Sequence, residues 1–315
     1  MSVLTLGETM VLFDPATDGP PVSGASYTLR FAGAESNFAI ALSRLGIRTR
    51  WISRLGTDLA SDHILAVLAA EGVDIRWVRR DQHAGSGAFM KIRTHDTTQV
   101  QYFRKGSAAS RLTIGDVPDE SFDGVRVVHL TGITPALSES AGRLVEDVAD
   151  RARARDIAVT FDANYRPALW PSAQDARRWQ ERLLPLTAWY FCGKDEGRLL
   201  WDIDDPYDLH MHLRDAGARG VVIRWGTHGA LVNGTWVVPP RLVQVRDEVG
   251  AGDAFDAGFV FAWLASAPPA VCAHAGHVIA AHAIQGTGDW ETLPRLADVQ
   301  VDLATVLAGT PELQS

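Results

Sequence analysis

Short apolar runs bounded by glycine or polar residues alternate with stretches of helical period along almost the whole chain, and no other feature constrains the fold as much. Residues 3–6 form such a run and end at Gly7. Within residues 29–46 the period changes. Phe38, Ala41, Leu42 and Leu45 fall at helical spacing, with Gly46 as the stop. Strand-like runs at 49–55 and 75–78 flank a helix-like stretch at 58–71. Farther on, runs at 125–130, 157–161, 188–191 and 221–224 interleave with helical stretches at 138–155, 172–184 and 207–216. Helical stretches close the chain after Gly252, at 269–285 and at 296–307. Such alternation predicts an α/β fold with a mostly parallel sheet covered by helices on both faces. Two places break it. Residues 87–93 and 99–104, joined by the polar stretch 94–98, read as an antiparallel hairpin serving as a flap, and 230–232 with 236–238 flank an Asn233-Gly234 turn. Residues 14–25, rich in proline and glycine, read as a loop.

Charge narrows the function. With 38 acidic and 30 basic residues the formal net charge is −8, which argues against a general nucleic-acid binder. An anionic substrate would have to be met by a local cluster of arginine and lysine. No apolar run is long enough to span a bilayer, and Glu8 and Asp14 stand where an export signal would carry basic residues. Two cysteines, Cys192 and Cys272, form no metal or redox motif, which favours a reducing cytosol.

In a parallel sheet, ligands sit beyond the carboxyl ends of the strands. Five stretches lie there: 33–37, 102–105, 162–166, 194–196 and 250–253. The last opens the sequence V-G-A-G-D-A-F-D-A-G-F at 249–259, in which small residues lead straight into a helix and Asp253 lies in its first turn. A helix start binds anions through its unpaired N–H groups, and phosphoryl transfer needs such donors beside a base. Taken singly, each stretch has a plainer explanation: an Asp N-cap at 253, a solvated strand end at 162–166, a charged edge strand at 104–105. Phe255 stands where a dinucleotide fingerprint needs its third glycine, and neither a P-loop nor a G-x-S-x-G elbow is present. His274, His277 and His282 share a helix without the spacing of a zinc site.

Together the stretches are more specific. Ala32-Gly33 with Asn37, Ala39, Gly46 and Gly56 resembles the N-terminal signature of the PfkB (ribokinase-like) carbohydrate kinases, and Gly250-Ala251-Gly252-Asp253 resembles their C-terminal one. Gly7-Glu8-Thr9-Met10, residues 102–108, residues 130–137 and residues 161–166 with Leu169-Trp170 resemble the branch of that family acting on 2-keto-3-deoxygluconate. The resemblance implies one domain over 1–315, a three-layer α/β/α sandwich with a small β lid made of residues 10–32 and 85–107. It implies that Gly250, Ala251 and Gly252 form an anion hole while Asp253 takes the proton from the sugar's terminal hydroxyl. Arg104 and Arg166 would meet the substrate carboxylate or the travelling phosphate, Phe89 and Tyr102 would wall the sugar site, and Gly33 and Asn37 would grip hydroxyls. Asp289 is either a substrate ligand or a turn residue. Asn164, Arg166, Gly226, Gly229, Gly250 and Gly252 would hold ATP, with the helix at 269–285 beside the adenine. Glu196 would place Mg²⁺ through water. Three positions depart from the family pattern: Gly193 replaces the Asn of its N-x-x-E motif, Glu248 a small or β-branched residue, and Trp225 a commonly charged one. Leu12 stands where members that bind neutral sugars commonly carry Asp. The expected partners are a small sugar acid and ATP, in the cytoplasm, with no nucleic acid or membrane; a monovalent-cation requirement and homo-oligomer formation stay open. The alternatives are fructokinase or another sugar kinase of the same family, and a sugar-acid sensor without catalysis, which would leave Asp253 and its glycines unexplained.

Overall fold

The computed structural model describes residues 2–94 and 98–308. The chain opens with β1 (Ser2–Leu6), β2 (Met10–Pro15), β3 (Tyr27–Ala32), α1 (Ala34–Arg44), β4 (Arg48–Ile52), β5 (Arg54–Gly56), α2 (Leu59–Ala70) and β6 (Arg79–Asp81). There follow β7 (Ala88–Arg93), β8 (Thr98–Phe103), β9 (Val125–Thr131), α3 (Glu139–Arg153), β10 (Ala158–Asp162), α4 (Ala173–Leu183), β11 (Trp189–Gly193) and α5 (Lys194–Trp201). The last third holds α6 (Pro206–Asp215), β12 (Val221–Arg224), β13 (Ala230–Val232), β14 (Thr235–Val237), α7 (Ala251–Leu264), α8 (Pro269–Ala283) and α9 (Leu296–Ala308).

The main sheet runs β14-β13-β12-β11-β10-β9-β1-β4, parallel from β12 to β4, with β13 and β14 antiparallel at one edge. Strand alternation sends neighbouring side chains into two cores. Trp189 and Phe191 of β11 pack with α1, α2, α7, α8 and α9, whereas Tyr190 and Cys192 pack with α3, α4, α5 and α6. Polar residues start these helices: the Asp58 carboxylate accepts from Ser61 N–H at 2.8 Å, and the Ser138 and Ser172 hydroxyls accept from Ala141 and Asp175 N–H at 3.1 Å. The predicted three-layer α/β sandwich is therefore present.

A second sheet, β3-β2-β7-β8, is built from the segments expected to form the lid. Trp290 stacks on Phe31 with centroids 4.9 Å apart and donates its indole N–H to the Phe31 carbonyl, and Arg30 pairs with Glu291 at 2.6 Å, so the lid is fastened to the body. The expected hairpin is β7 and β8; its turn, 95–97, lies outside the described residues. Three expectations need correction. Residues 75–78 are not a strand, because the Asp74 carboxylate bonds the backbone and side chain of Arg76 and turns the chain, and pairing with β5 begins at Arg79. The expected loop at 14–25 starts later, since Asp14 and Pro15 continue β2 against β3. α5 was not foreseen: its eight residues are too few to show a helical period against the strand before them.

α7 and α8 approach through glycines. A Cβ on Gly258 would lie 2.6 Å from the Ala275 carbonyl oxygen, and one on Gly276 would lie 2.8 Å from that of Phe255. Overpacking a site of this kind costs about 1–3 kcal/mol, more than the gain in helix propensity. Gly276→Val is expected to lower the melting temperature by roughly 2–8 °C in a thermal melt; an unchanged melt would mean that the two helices do not need this close approach.

Candidate active site

The carboxyl ends of β10, β11 and β12 and the start of α7 enclose a cleft of about 1060 Å³. Gly250 ends the incoming loop in the left-handed region (φ 77°), where a Cβ would collide with the Asp289 carbonyl, so the position needs glycine on both counts. Ala251 N–H donates to Glu248 C=O at 3.2 Å and Ala254 N–H to Gly250 C=O at 2.9 Å. The N–H groups of Gly252 and Asp253, both on the cleft wall, have no backbone acceptor among the described residues. Unpaired N–H groups at a helix start are able to bind an anion. Glu248 serves through its backbone while its side chain is exposed, so the departure from pattern there leaves the turn intact.

Asp253 sits among amides. Asn37 Nδ2 donates to its Oδ2 at 2.9 Å, and Asn164 Nδ2 reaches Oδ1 at 3.5 Å and Asp162 Oδ2 at 3.1 Å. Burial pushes the Asp253 carboxyl up to about 7; the Asn37 bond and Arg166 pull it down, while Asp162 and Glu35 repel its charge. A carboxyl poised near neutrality suits a general base.

Sequence reasoning missed the residue that organises the floor. Arg224, last in β12, pairs through Nη2 with Asp162 at 2.6 Å and Glu196 at 3.8 Å, and through Nη1 with Asp256 at 2.8 Å. It also lies directly under the helix start, its Nη1 3.0 Å from where a Gly252 Cβ would be. Two signals were available: Arg224 ends a parallel strand, as Asp162 does, and Asp256 follows Asp253 by one helical turn. Glu35 was missed too. Fully buried behind the site, it accepts from the Thr131 and Thr134 hydroxyls at 2.6 and 2.7 Å, and burial raises its pKa from the ordinary value.

The cleft collects Asn164, Arg166, Glu196, Gly226, Gly229, Gly250, Ala251, Gly252 and Asp253, and Asn37 reaches it through Asp253. Gly33, Phe89, Tyr102, Arg104 and Asp289 lie outside its lining. Phe89 packs beneath the lid with Met10, Leu12 and Ala32, its ring 5.9 Å from Tyr102. Gly33 packs against the Glu8 carbonyl, leaving no room for a Cβ. Two of these side chains already have partners within the fold. Arg104 is not an unpaired guanidinium, since Glu8 binds its Nε at 2.7 Å and its Nη2 at 2.5 Å and is itself bonded by Ser107. The Asp289 carboxylate is taken by Lys91 at 3.3 Å rather than left for a ligand.

A family model for pfkB family carbohydrate kinases matches residues 1–296. The chain belongs to this family. It is 34% identical over 300 residues to a 2-dehydro-3-deoxygluconokinase of Bacillus subtilis, covering 93% of each chain. A 2-dehydro-3-deoxygluconokinase of Thermoproteus tenax is 33% identical over 304 residues, covering 93% of this chain and 91% of the other. Among solved structures, a PfkB protein from Polaromonas sp. JS666 superposes with a TM-score of 0.86 at 34% identity, over 95% of this chain and 99% of that one. The protein is thus a carbohydrate kinase, a phosphotransferase acting on a sugar hydroxyl.

The donor set of this pfkB kinase does not cage a bare metal ion. Among the described residues no three His, Cys, Asp or Glu side chains are placed to hold one. Arg224 occupies the space between Asp162, Glu196 and Asp256, and Glu196 accepts Tyr165 N–H at 2.7 Å and Gly193 N–H at 2.6 Å. That second bond caps α5 from within, which explains why Gly193 can stand where the motif has Asn. The arrangement fits a cation carried by nucleotide phosphates and met through water, not one ligated directly.

The raised Asp253 carboxyl has a stability consequence with a definite sign. Its ordinary value is 3.8 and its folded value about 7, so between those pH values the folded chain holds the extra proton and stability falls as pH rises through the window. Asp253→Asn removes that cost. The variant should be more stable than the parent at pH 8, by on the order of 2–4 kcal/mol in urea unfolding, and the gain should vanish near pH 4. A gain independent of pH would show that the carboxyl carries no such penalty.

Proposed function

We propose that this pfkB kinase transfers the γ-phosphoryl group of ATP to the terminal hydroxyl of 2-keto-3-deoxygluconate, giving 2-keto-3-deoxy-6-phosphogluconate. The observation that carries the reading is Asp253: a near-neutral carboxyl in the first turn of α7, beside the Gly252 and Asp253 N–H groups and in the same cleft as Arg166. The names of the Bacillus subtilis and Thermoproteus tenax relatives support the substrate.

In this reading Asp253 accepts the proton of the attacking hydroxyl, oriented by Asn37 and Asn164. The N–H groups at the start of α7 take up charge developing on the transferred phosphoryl, and Arg166, exposed in the same cleft, adds positive charge. Gly226 and Gly229, with φ of 58° and 104°, let the loop after β12 approach the nucleotide closely. Mg²⁺ bound with ATP would neutralise phosphate charge, with Glu196 nearest to receive its waters. The sugar acid enters beneath the lid, where Gly33, Phe89, Tyr102 and Arg104 face it, and Leu12, fully buried with Phe89, offers no acceptor for a hydroxyl. Arg104, paired with Glu8 through Nε and Nη2, keeps Nη1 for the ligand and so meets the carboxylate, while Arg166 meets the travelling phosphate. The cytoplasm and reaction without a nucleic-acid partner belong to the same proposal.

Two measurements check it. With Mg-ATP and an ADP-release assay, kcat/KM for 2-keto-3-deoxygluconate should exceed that for fructose or ribose by about 10- to 150-fold, the value of one charge-assisted hydrogen bond; equal values would overturn the substrate assignment. Asp253→Asn should lower kcat at least about 100-fold while ATP still binds, and the parent's kcat/KM should rise with pH through a half-maximal point near 7. A variant with near-parental turnover would remove Asp253 from the chemistry.

A further inference from the structure

A second pocket, about 340 Å³ in volume, shares no lining residue with the cleft. Arg54, Arg79, Arg80 and Arg111 line it together with His83 and Asp81. In a chain of net charge −8, four guanidinium groups so close together demand an explanation. Part of their charge is answered within the fold. Arg54 and Arg79, adjacent in the β5–β6 register, share the buried Asp116 at 3.0 and 3.2 Å, Arg80 pairs with Asp62 at 2.7 Å, and Arg54 and Arg111 reach Asp81 only at 3.6 and 3.5 Å. Four guanidiniums thus meet three carboxylates. Nη1 of Arg79, Nη2 of Arg80 and both Nε and Nη2 of Arg111 have no protein acceptor among the described residues.

The position is as telling as the charge. His83 precedes β7 and Arg111 follows β8, so the pocket lies at the root of the lid, where Ala108 N–H donates to Gly85 C=O at 2.8 Å and pins the two stems together. Arg54 and Arg79 belong to β5 and β6 outside the lid sheet.

We propose that this pocket binds a small phosphate-bearing anion, which bridges Arg111 of the lid stem to Arg79 and Arg80 of the body. A guanidinium fork pairs bidentately with two oxygens of a phosphate, and the bound anion supplies the missing negative charge while restraining the lid at its hinge. Free phosphate and a phosphorylated sugar acid share this chemistry; the latter is what the proposed reaction produces, and only that source rests on the proposed function.

The test is isothermal titration of the full chain, its cleft filled with a saturating non-hydrolysable ATP analogue, with inorganic phosphate and separately with 6-phosphogluconate. Saturable binding is expected, weakened at least about tenfold by Arg111→Ala and partly restored by Arg111→Lys, while kcat and KM without added anion stay within about twofold of the parent. Because the Arg111 side chain is 45% exposed and holds only one long contact, its loss leaves the fold intact, as an unchanged melting temperature would verify. Tighter binding of 6-phosphogluconate would assign the pocket to phosphorylated sugar acids, and equal binding to free phosphate. No saturable binding of either anion, or binding that Arg111→Ala leaves unchanged, would overturn the proposal. Both results are independent of whether 2-keto-3-deoxygluconate is phosphorylated, so the two readings fail separately.

Discussion

One guanidinium makes the catalytic floor possible. Asp162, Glu196 and Asp256 converge on Arg224, and Asp253 lies one turn before Asp256. Burial pulls the Arg224 pKa down, but its three carboxylates outweigh that and hold it well above the usual guanidinium value. Breaking a buried pair by removing one partner typically costs about 3–5 kcal/mol, because the other charge is left stranded. The cluster is therefore better understood as a fixed electrostatic frame than as a source of net stability. It locks the ends of β10, β11 and β12 to the start of α7, and one of its carboxylates, Asp162, repels the charge of Asp253.

The frame depends on close approach of backbones. Without side chains at Gly250, Gly258 and Gly276, the start of α7 can press against Asp289 and its body against α8. The N–H groups of Gly252 and Asp253 are then fixed before any ligand arrives. Preorganised dipoles of this kind lose no reorganisation energy when charge develops on a phosphoryl group.

Much of this could be read in the residues, and the parts that could not have a common cause. The sheet was legible because strands buried on both faces are apolar throughout, and α3 and α4 because Ser138 and Ser172 announce their starts. Asp253 and its glycines were legible because a helix start has a local grammar. Arg224 and Glu35 were not, since their partners lie between 28 and 99 residues away in the chain and no periodicity records such a contact. The strand expected at 75–78 failed for the opposite reason: the Asp74–Arg76 turn is local, but its side-chain bonds outweigh the apolar character of Ile75 and Val78.

The net charge of −8 presents a difficulty that the arrangement of cations resolves. A sugar acid and ATP are both anions, and the long-range field of the chain opposes them. At physiological ionic strength that field is screened within about 8 Å, so capture depends on cations within a Debye length of the ligand. Arg166 on the cleft wall and Arg104 beneath the lid are such cations, and the α7 amides add partial positive charge without any counterion. Because Arg104 is already paired with Glu8, its gain from a ligand is partly offset. In the proposed reading, selectivity for an acidic sugar over a neutral one rests on what Arg104 still has to offer beneath the lid, while Arg166 serves the phosphate at the other end of the ligand.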